Sequence, residues 1–422
     1  MPRRPDRPII ESLLDTDFYK FTMGQLVFHR HPNVPVEYAL VNRTKEVKLP
    51  TEIDEGELRE QLDHAMSLRF NRSEIHYLRG TNEYQDRMFQ EDYLDFLLTL
   101  SLPPYEIDWP NGVLKFYGPW SHTIYWETIA LSIVNELFHR RGRGILQGIV
   151  STRAFIDRNI AVGRIRLFEK IDAIMDASIS GLNINFSDFG TRRRFSREWQ
   201  DYVVGILAEE LPKEFLGTSN TYLAMKYGLL PMGTSAHEMF MAYSGIHHES
   251  DDTILESHNQ VLRDWWDEYG WGLSIALTDT YGTDFFFRDM TAEQAKNWKG
   301  LRQDSGDPIE FGRKAIDFYE SRGIDPKTKL IVFSDGLDLN RIMELAREFQ
   351  SKINVSFGWG TNLTNDLGHS TLSLVAKLVR ANGHGTVKLS DNIAKAIGKP
   401  KDVERFKNIF GYTSNLNEAC RY

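Results

Sequence analysis

The chain has 422 residues, 41% hydrophobic and 26% charged, with a formal net charge of −9. That balance excludes a disordered or fibrous chain and argues against a general nucleic-acid binder, whose domains are basic, while nine Trp, 17 Tyr and 25 Phe supply a large core. Cys420 is the single cysteine, which excludes an intrachain disulfide or a thiolate metal cluster. The basic start MPRRPDRPII has no apolar signal region behind it, and no run of about 18 apolar residues spans a membrane, so a cytoplasmic setting is expected.

The first 145 or so residues read as α+β. SLLDTDFYKFTMGQLVFH spaces its apolar residues for a helix after a turn at Asp15–Asp17, PVEYALVNR and GVLKFYG read as strands, and YWETIALSIVNELFHR is an amphipathic helix. From about residue 165, short apolar runs recur, each ending in a polar, glycine-containing cluster that leads into a helical stretch. The clusters follow one another at intervals of roughly 25 residues, near the size of a βα unit, which predicts a closed or nearly closed (β/α) barrel. In such a barrel the residues just past the strands converge on one face. After residue 370, LSLVAKLVRANGHGTVKLSD reads as two strands around a Gly-rich turn, rejoining the N-terminal unit.

Four arginines crowd DFGTRRRFSR (Arg192, Arg193, Arg194 and Arg197), suited to phosphate or carboxylate recognition or to a solvated helix start. In GLRQDSGDP, Arg302 and Asp304 suit a ligand bearing hydroxyls and phosphates, whereas Asp307 before Pro308 fits a helix N-cap. Asp335 in FSDGLD is a candidate for hydroxyl recognition, and the backbone of FGWGTNLT, with Gly358, Gly360 and Thr361, suits either a phosphate cradle or an ordinary turn. PMGTSAHEMF places His237 at an apparent strand-to-helix junction, where neutral imidazole can act as nucleophile or acid–base group, or pack as a core residue. No P-loop, no G-x-S-x-G elbow and no metal-ligand spacing among the 12 His occurs, so no residue is assigned as a metal ligand.

Together SLLDTDFYKFTM, DFGTRRRFSR, GTSN, PMGTSAHE, LTDTYGTDFF, GLRQDSGDP, VFSDGLD, FGWGTNLT and VKLSD resemble, in order and spacing, the nicotinate phosphoribosyltransferase family, over residues 12 to 395. The resemblance implies a type II phosphoribosyltransferase fold: an irregular (β/α) barrel over 146–369 plus an α+β domain from 1–145 and 370–422. It implies ATP-coupled formation of nicotinate mononucleotide and diphosphate from nicotinate and phosphoribosyl diphosphate, with Mg2+, in NAD salvage. Carried over by motif, His237 is phosphorylated by ATP. Arg192 and Arg302 hold nicotinate and phosphates, Asp304 sits near ribose and magnesium, Asp335 contacts the ribose or its diphosphate, and Gly360 and Thr361 bind the 5-phosphate. Phe189 stacks on the pyridine ring. Asp17 and Tyr19 reach a ring site, with a neighbouring subunit of a homodimer as one source. Ser219 stands where nicotinamide-using relatives carry Asp, which favours the acid over the amide. One departure stands out: Ile393 replaces a common proline after KLSDN. The tail NLNEACRY carries no usable motif.

Overall fold

The computed structural model describes residues 7–83, 86–140 and 152–418. The domain boundary expected at 145/146 and the lone Cys420 lie outside them. In chain order the strands are β1 (Pro35–Asn42), the short pair β2 (Asn82–Glu83) and β3 (Asp86–Arg87), β4 (Tyr105–Asp108) and β5 (Val113–Pro119). Next come β6 (Phe186–Asp188), β7 (Phe215–Thr218), β8 (Leu230–Pro231), β9 (Ile275–Leu277), β10 (Gly300–Gln303), β11 (Leu330–Phe333) and β12 (Asn354–Trp359). The chain then returns with β13 (Leu374–Ala381) and β14 (His384–Gly385).

The first sheet runs β14-β13-β1-β5-β4, so strands from both ends of the chain pair side by side. β1 alternates as a half-buried strand should, with Val36, Tyr38 and Leu40 inside, and lies antiparallel to β13 and β5. The helix Trp126–Arg140 packs on β13 and on the turn Thr191–Arg193, linking this unit to the barrel. The helix Tyr19–Arg30 begins as the spacing predicts, after the turn at Asp15–Asp17, and its first nine residues are all buried.

The second sheet is parallel throughout, in the order β8-β7-β6-β12-β11-β10-β9. Its strands are short and largely apolar because helices cover the outer face, the pattern of buried parallel sheets. β8 and β9 do not pair with each other, so the sheet curls into a barrel open along one seam rather than a closed one. Residues 232–236 cross this seam, with Thr234 Oγ1 3.5 Å from the Ile275 carbonyl oxygen, and lead into the helix His237–Ile246.

The hairpin expected after residue 370 is cut short on its second arm, which ends at Gly385. The chain leaves the sheet there to reach the barrel, where the Leu389 amide donates to the Thr280 carbonyl oxygen at 2.8 Å. Among the described residues no helix is long and apolar enough to cross a membrane.

Candidate active site

A cavity of about 650 Å3 opens at the ends of the parallel strands, and all eleven residues to which the resemblance assigns a role line it. Each arrives by a short path. Phe189 follows β6 directly, and Arg192 sits on the 3-10 turn Thr191–Arg193 just beyond. Ser219 follows β7, Arg302 lies on β10 with Asp304 just past it, Asp335 follows β11, and Gly360 and Thr361 follow β12. Asp17 and Tyr19 of this chain line its own cavity as well. The segment before the first helix is tied to the end of β7, with the Phe18 amide on the Ser219 carbonyl oxygen at 2.7 Å and the Thr221 amide on that of Thr16 at 3.0 Å.

One side of the cavity is a buried ion network. Arg192 contacts Asp17 at 3.2 Å and Glu127 at 3.3 Å, and its guanidinium lies over the Tyr19 ring. Ser219 Oγ donates to Asp17 Oδ1 at 2.6 Å. Behind these, Lys20 is fully buried between Glu127, at 2.5 Å, and Glu238, which also accepts from Tyr38 Oη at 2.9 Å. Burial pushes the Asp17 and Glu238 carboxyls up against the pull of Arg192 and Lys20 respectively. At Glu127 burial acts the same way, but Lys20 and Arg192 together outweigh it and hold the carboxyl low.

The opposite side is built around His237, the first residue of its helix. Nδ1 lies 3.0 Å from Thr280 Oγ1, and Nε2 lies 3.0 Å from Asp304 Oδ2 and 2.8 Å from Lys388 Nζ. Burial, then the Lys388 ammonium, lowers the imidazole's pKa below 6.5, which favours the neutral ring. A neutral imidazole keeps one nitrogen lone pair, the requirement for a nucleophile. Asp304 is held well below the ordinary carboxylate range because Arg302 and His237 overcome its burial. Arg302 Nη1 donates to the Ser235 carbonyl oxygen at 3.0 Å, steadying the residues that lead into His237. Asp335 pairs with Lys395, which also donates to the Asp304 carbonyl oxygen at 3.2 Å.

One ligand atom each from His237, Asp279 and Asp304 lie within 4.8 Å of one another. Asp279 Oδ1 is buried and makes no hydrogen bond. Magnesium takes oxygen donors and keeps waters and substrate phosphates around it. The two carboxylates fit such an ion, whereas the His237 nitrogen, bonded to a lysine, does not.

Not every residue in the motifs faces the cavity. Arg194 forms a buried two-point pair with Asp15 at 2.6 and 2.8 Å, and Arg197 pairs with Glu11 at 2.6 Å, so both brace the fold. Asp307 caps its helix by accepting from the Glu310 amide at 2.8 Å. Gly358 leaves room for the Phe189 ring, since a Cβ there would meet two ring carbons at 2.4 Å. Sequence reasoning missed Lys20, Glu127, Glu238, Asp279, Lys388 and Lys395. Asp279 and Lys388 lie inside quoted motifs, LTDTYGTDFF and VKLSD, Lys20 inside SLLDTDFYKFTM and Glu238 inside PMGTSAHE, so the motif text contained these four.

An open (β/α) barrel with a separate antiparallel domain, its strand ends converging on one charged cavity, has the architecture of an α/β enzyme with its site at the strand ends. Residues 184–414 match the nicotinate phosphoribosyltransferase (NAPRTase) family model, and residues 14–135 match the model of its N-terminal domain. The chain belongs to the nicotinate phosphoribosyltransferase family. The nicotinate phosphoribosyltransferase of Vibrio cholerae is 33% identical, with a TM-score of 0.83 over 97% of this chain and 95% of that one. That of Porphyromonas gingivalis is 31% identical, with a TM-score of 0.81 over 96% and 100% respectively.

Proposed function

We propose that this chain joins nicotinate to the ribose of phosphoribosyl diphosphate, releasing diphosphate, and that ATP drives the transfer through a phosphorylated His237. The observation that carries the ATP step is the imidazole of His237, held by Thr280, Asp304 and Lys388 on the wall of the same cavity as Arg192 and Arg302. Arg192, paired with Asp17 and Glu127, presents its guanidinium to the carboxylate of nicotinate beside Phe189 and Tyr19. The pyridine nitrogen then needs positioning more than activation. As the bond from ribose C1 to the diphosphate oxygen lengthens, positive charge grows on the sugar ring, and the carboxylates of Asp304 and Asp335 stabilise it. The pyridine nitrogen forms the new bond to C1, and the electron pair leaves with diphosphate. Gly360 and Thr361 receive the 5-phosphate. Asp304 and Asp279 would hold magnesium, which would supply charge neutralisation to the phosphate oxygens.

In the ATP step a nitrogen of His237 attacks the γ-phosphorus and ADP departs. The phosphoryl group adds charge of about −1.5 to −2, by analogy with other phosphorylated side chains. Water later removes the group as phosphate. Ser219 supports the acid as substrate, because a carboxylate at that position would face the carboxylate of nicotinate. The test is diphosphate release with nicotinate or nicotinamide, each with phosphoribosyl diphosphate and magnesium, with and without ATP. Wild type is expected to favour nicotinate and to be stimulated by ATP, and His237→Asn to lose the stimulation. Equal stimulation of the variant refutes the phosphohistidine step, and preference for nicotinamide refutes the substrate assignment.

A further inference from the structure

Lys388 and Lys395 face the carboxylates of the barrel but come from outside it, on the segment between β14 and the helix Pro400–Phe410. Lys388 Nζ bonds His237 Nε2 at 2.8 Å and lies 3.8 Å from Asp279, while Lys395 contacts Asp335. Between the two lysines, Ser390 holds a φ of 65°, in the left-handed region that a residue with a side chain enters only under constraint. Its hydroxyl bonds Ser305 Oγ at 2.8 Å and Asp279 Oδ2 at 3.2 Å.

The constraint comes from the residues after the helix. Tyr412 Oη donates to the Ser390 carbonyl oxygen at 2.6 Å, and Ser414 Oγ donates to that of Asp391. The Ile393 amide donates to the Leu416 carbonyl oxygen at 2.9 Å. Asn392 Nδ2 donates to the Glu418 carbonyl oxygen at 2.8 Å and Asn392 Oδ1 accepts from the Glu418 amide at 3.1 Å. The Tyr412 ring rests on Gly282, where φ is 99° and a Cβ would meet the ring at 3.2 Å. Gly282 lies in the turn that carries Asp279 and Thr280. Tyr412 therefore touches both polar loops of the His237 side. The helix has its own anchor, since Phe410 stacks on Tyr281 with ring centroids 3.9 Å apart.

We propose that residues 412–418 form a strap that positions Lys388 and Lys395 to receive the phosphate and diphosphate oxygens of an anionic sugar substrate, with Tyr412 as the chief positioning residue. This rests on the phosphoribosyl-transfer reading above. The family match ends at residue 414, so Leu416 and Glu418 extend the strap past it.

Tyr412→Phe keeps the ring on Gly282 and removes the donor, and Ser414→Ala is the second variant. Each is measured by steady-state kinetics with both substrates, by calorimetric binding of inorganic diphosphate with magnesium, and by thermal melting. Loss of one such hydrogen bond is expected to raise the KM for phosphoribosyl diphosphate and the diphosphate Kd about threefold to tenfold. The KM for nicotinate should stay within about twofold, because Arg192 is held by Asp17 and Glu127 whereas the lysines contact His237 and Asp335. Unchanged diphosphate binding in both variants overturns the strap, as does a parallel rise in both KM values with a lowered melting temperature. Wild-type protein that binds diphosphate but transfers no phosphoribosyl group refutes the underlying reading while leaving the strap decided by the binding comparison.

Discussion

Lys20→Met tests the buried ion network, because it removes the ammonium that contacts both Glu127 and Glu238. Methionine is similarly long, flexible and unbranched, so the change is one of charge more than volume. The lysine side chain has no exposed surface and the two carboxylates are 13% and 7% exposed, so water cannot replace it as counter-ion. Removing one partner of a buried pair costs about 3–5 kcal/mol. Arg192 remains 3.3 Å from Glu127 and Tyr38 still donates to Glu238, which places the expected loss near the lower end, about 3 kcal/mol at neutral pH. Without the lysine Glu238 loses the charge that opposes its burial, so its carboxyl should titrate in the folded state further above the unfolded value of 4.5. The folded variant then binds protons that its unfolded state has released, so its deficit should shrink as pH falls. Urea unfolding of wild type and variant from about pH 8 to about pH 5 measures this. Matching midpoints at the upper pH, or a deficit that persists unchanged on acidification, would refute the assignment of Lys20 as the shared counter-ion.

Three further outcomes are expected. Gly358→Ala puts a methyl 2.4 Å from the Phe189 ring, which must retreat by about 1 Å to ordinary contact, and kcat/KM for nicotinate should fall about 10- to 100-fold. Steady-state kinetics beside a thermal melt check it, and an unchanged kcat/KM removes Phe189 from the ring site. Ser219→Asp sets a second carboxylate against Asp17, now bonded by the serine hydroxyl at 2.6 Å, and should raise the KM for nicotinate far more than that for nicotinamide in paired assays. Because the folded pKa of His237 lies below 6.5, the acid limb of the ATP-dependent rate should also lie below 6.5 and move up toward it in Lys388→Met. Below pH 6.5 the unfolded chain takes up the proton that folded His237 refuses, so this residue's contribution to stability is lost as pH falls, which acid-range unfolding would detect.

The strand-end clusters are legible in the sequence because their signal is local. A polar, glycine-bearing stretch directly follows an apolar run, and barrel geometry does the gathering. Lys20 lies in a quoted motif, but nothing local marks it as buried. In YKFTMGQL a lysine would be placed on the solvent face, and only folding brings it Glu127 and Glu238 from far along the chain. The same holds for His237, Asp279 and Asp304, which lie close together although their spacing matches no metal motif, since different turns of the chain supply them. Local text also cannot rank the arginines of TRRRFSR. Arg192 faces the cavity while Arg194 locks onto Asp15, a choice made by partners almost two hundred residues upstream. The open seam was equally hidden, because counting βα units says nothing about whether the last pair of strands meets.

That seam has a mechanical consequence. In a closed barrel an unbroken hoop of ladder hydrogen bonds fixes the girth. Here the hoop is cut between β8 and β9. The gap is spanned through side chains, with Arg302 on the Ser235 carbonyl oxygen at 3.0 Å and Thr22 Oγ1 on that of Thr234 at 2.7 Å. Contacts of this kind yield more easily than a ladder, so the ring is stiff around most of its circumference and compliant at one place. His237 stands at that place, so the proposed phosphorylation of its imidazole would add charge where the ring is least braced.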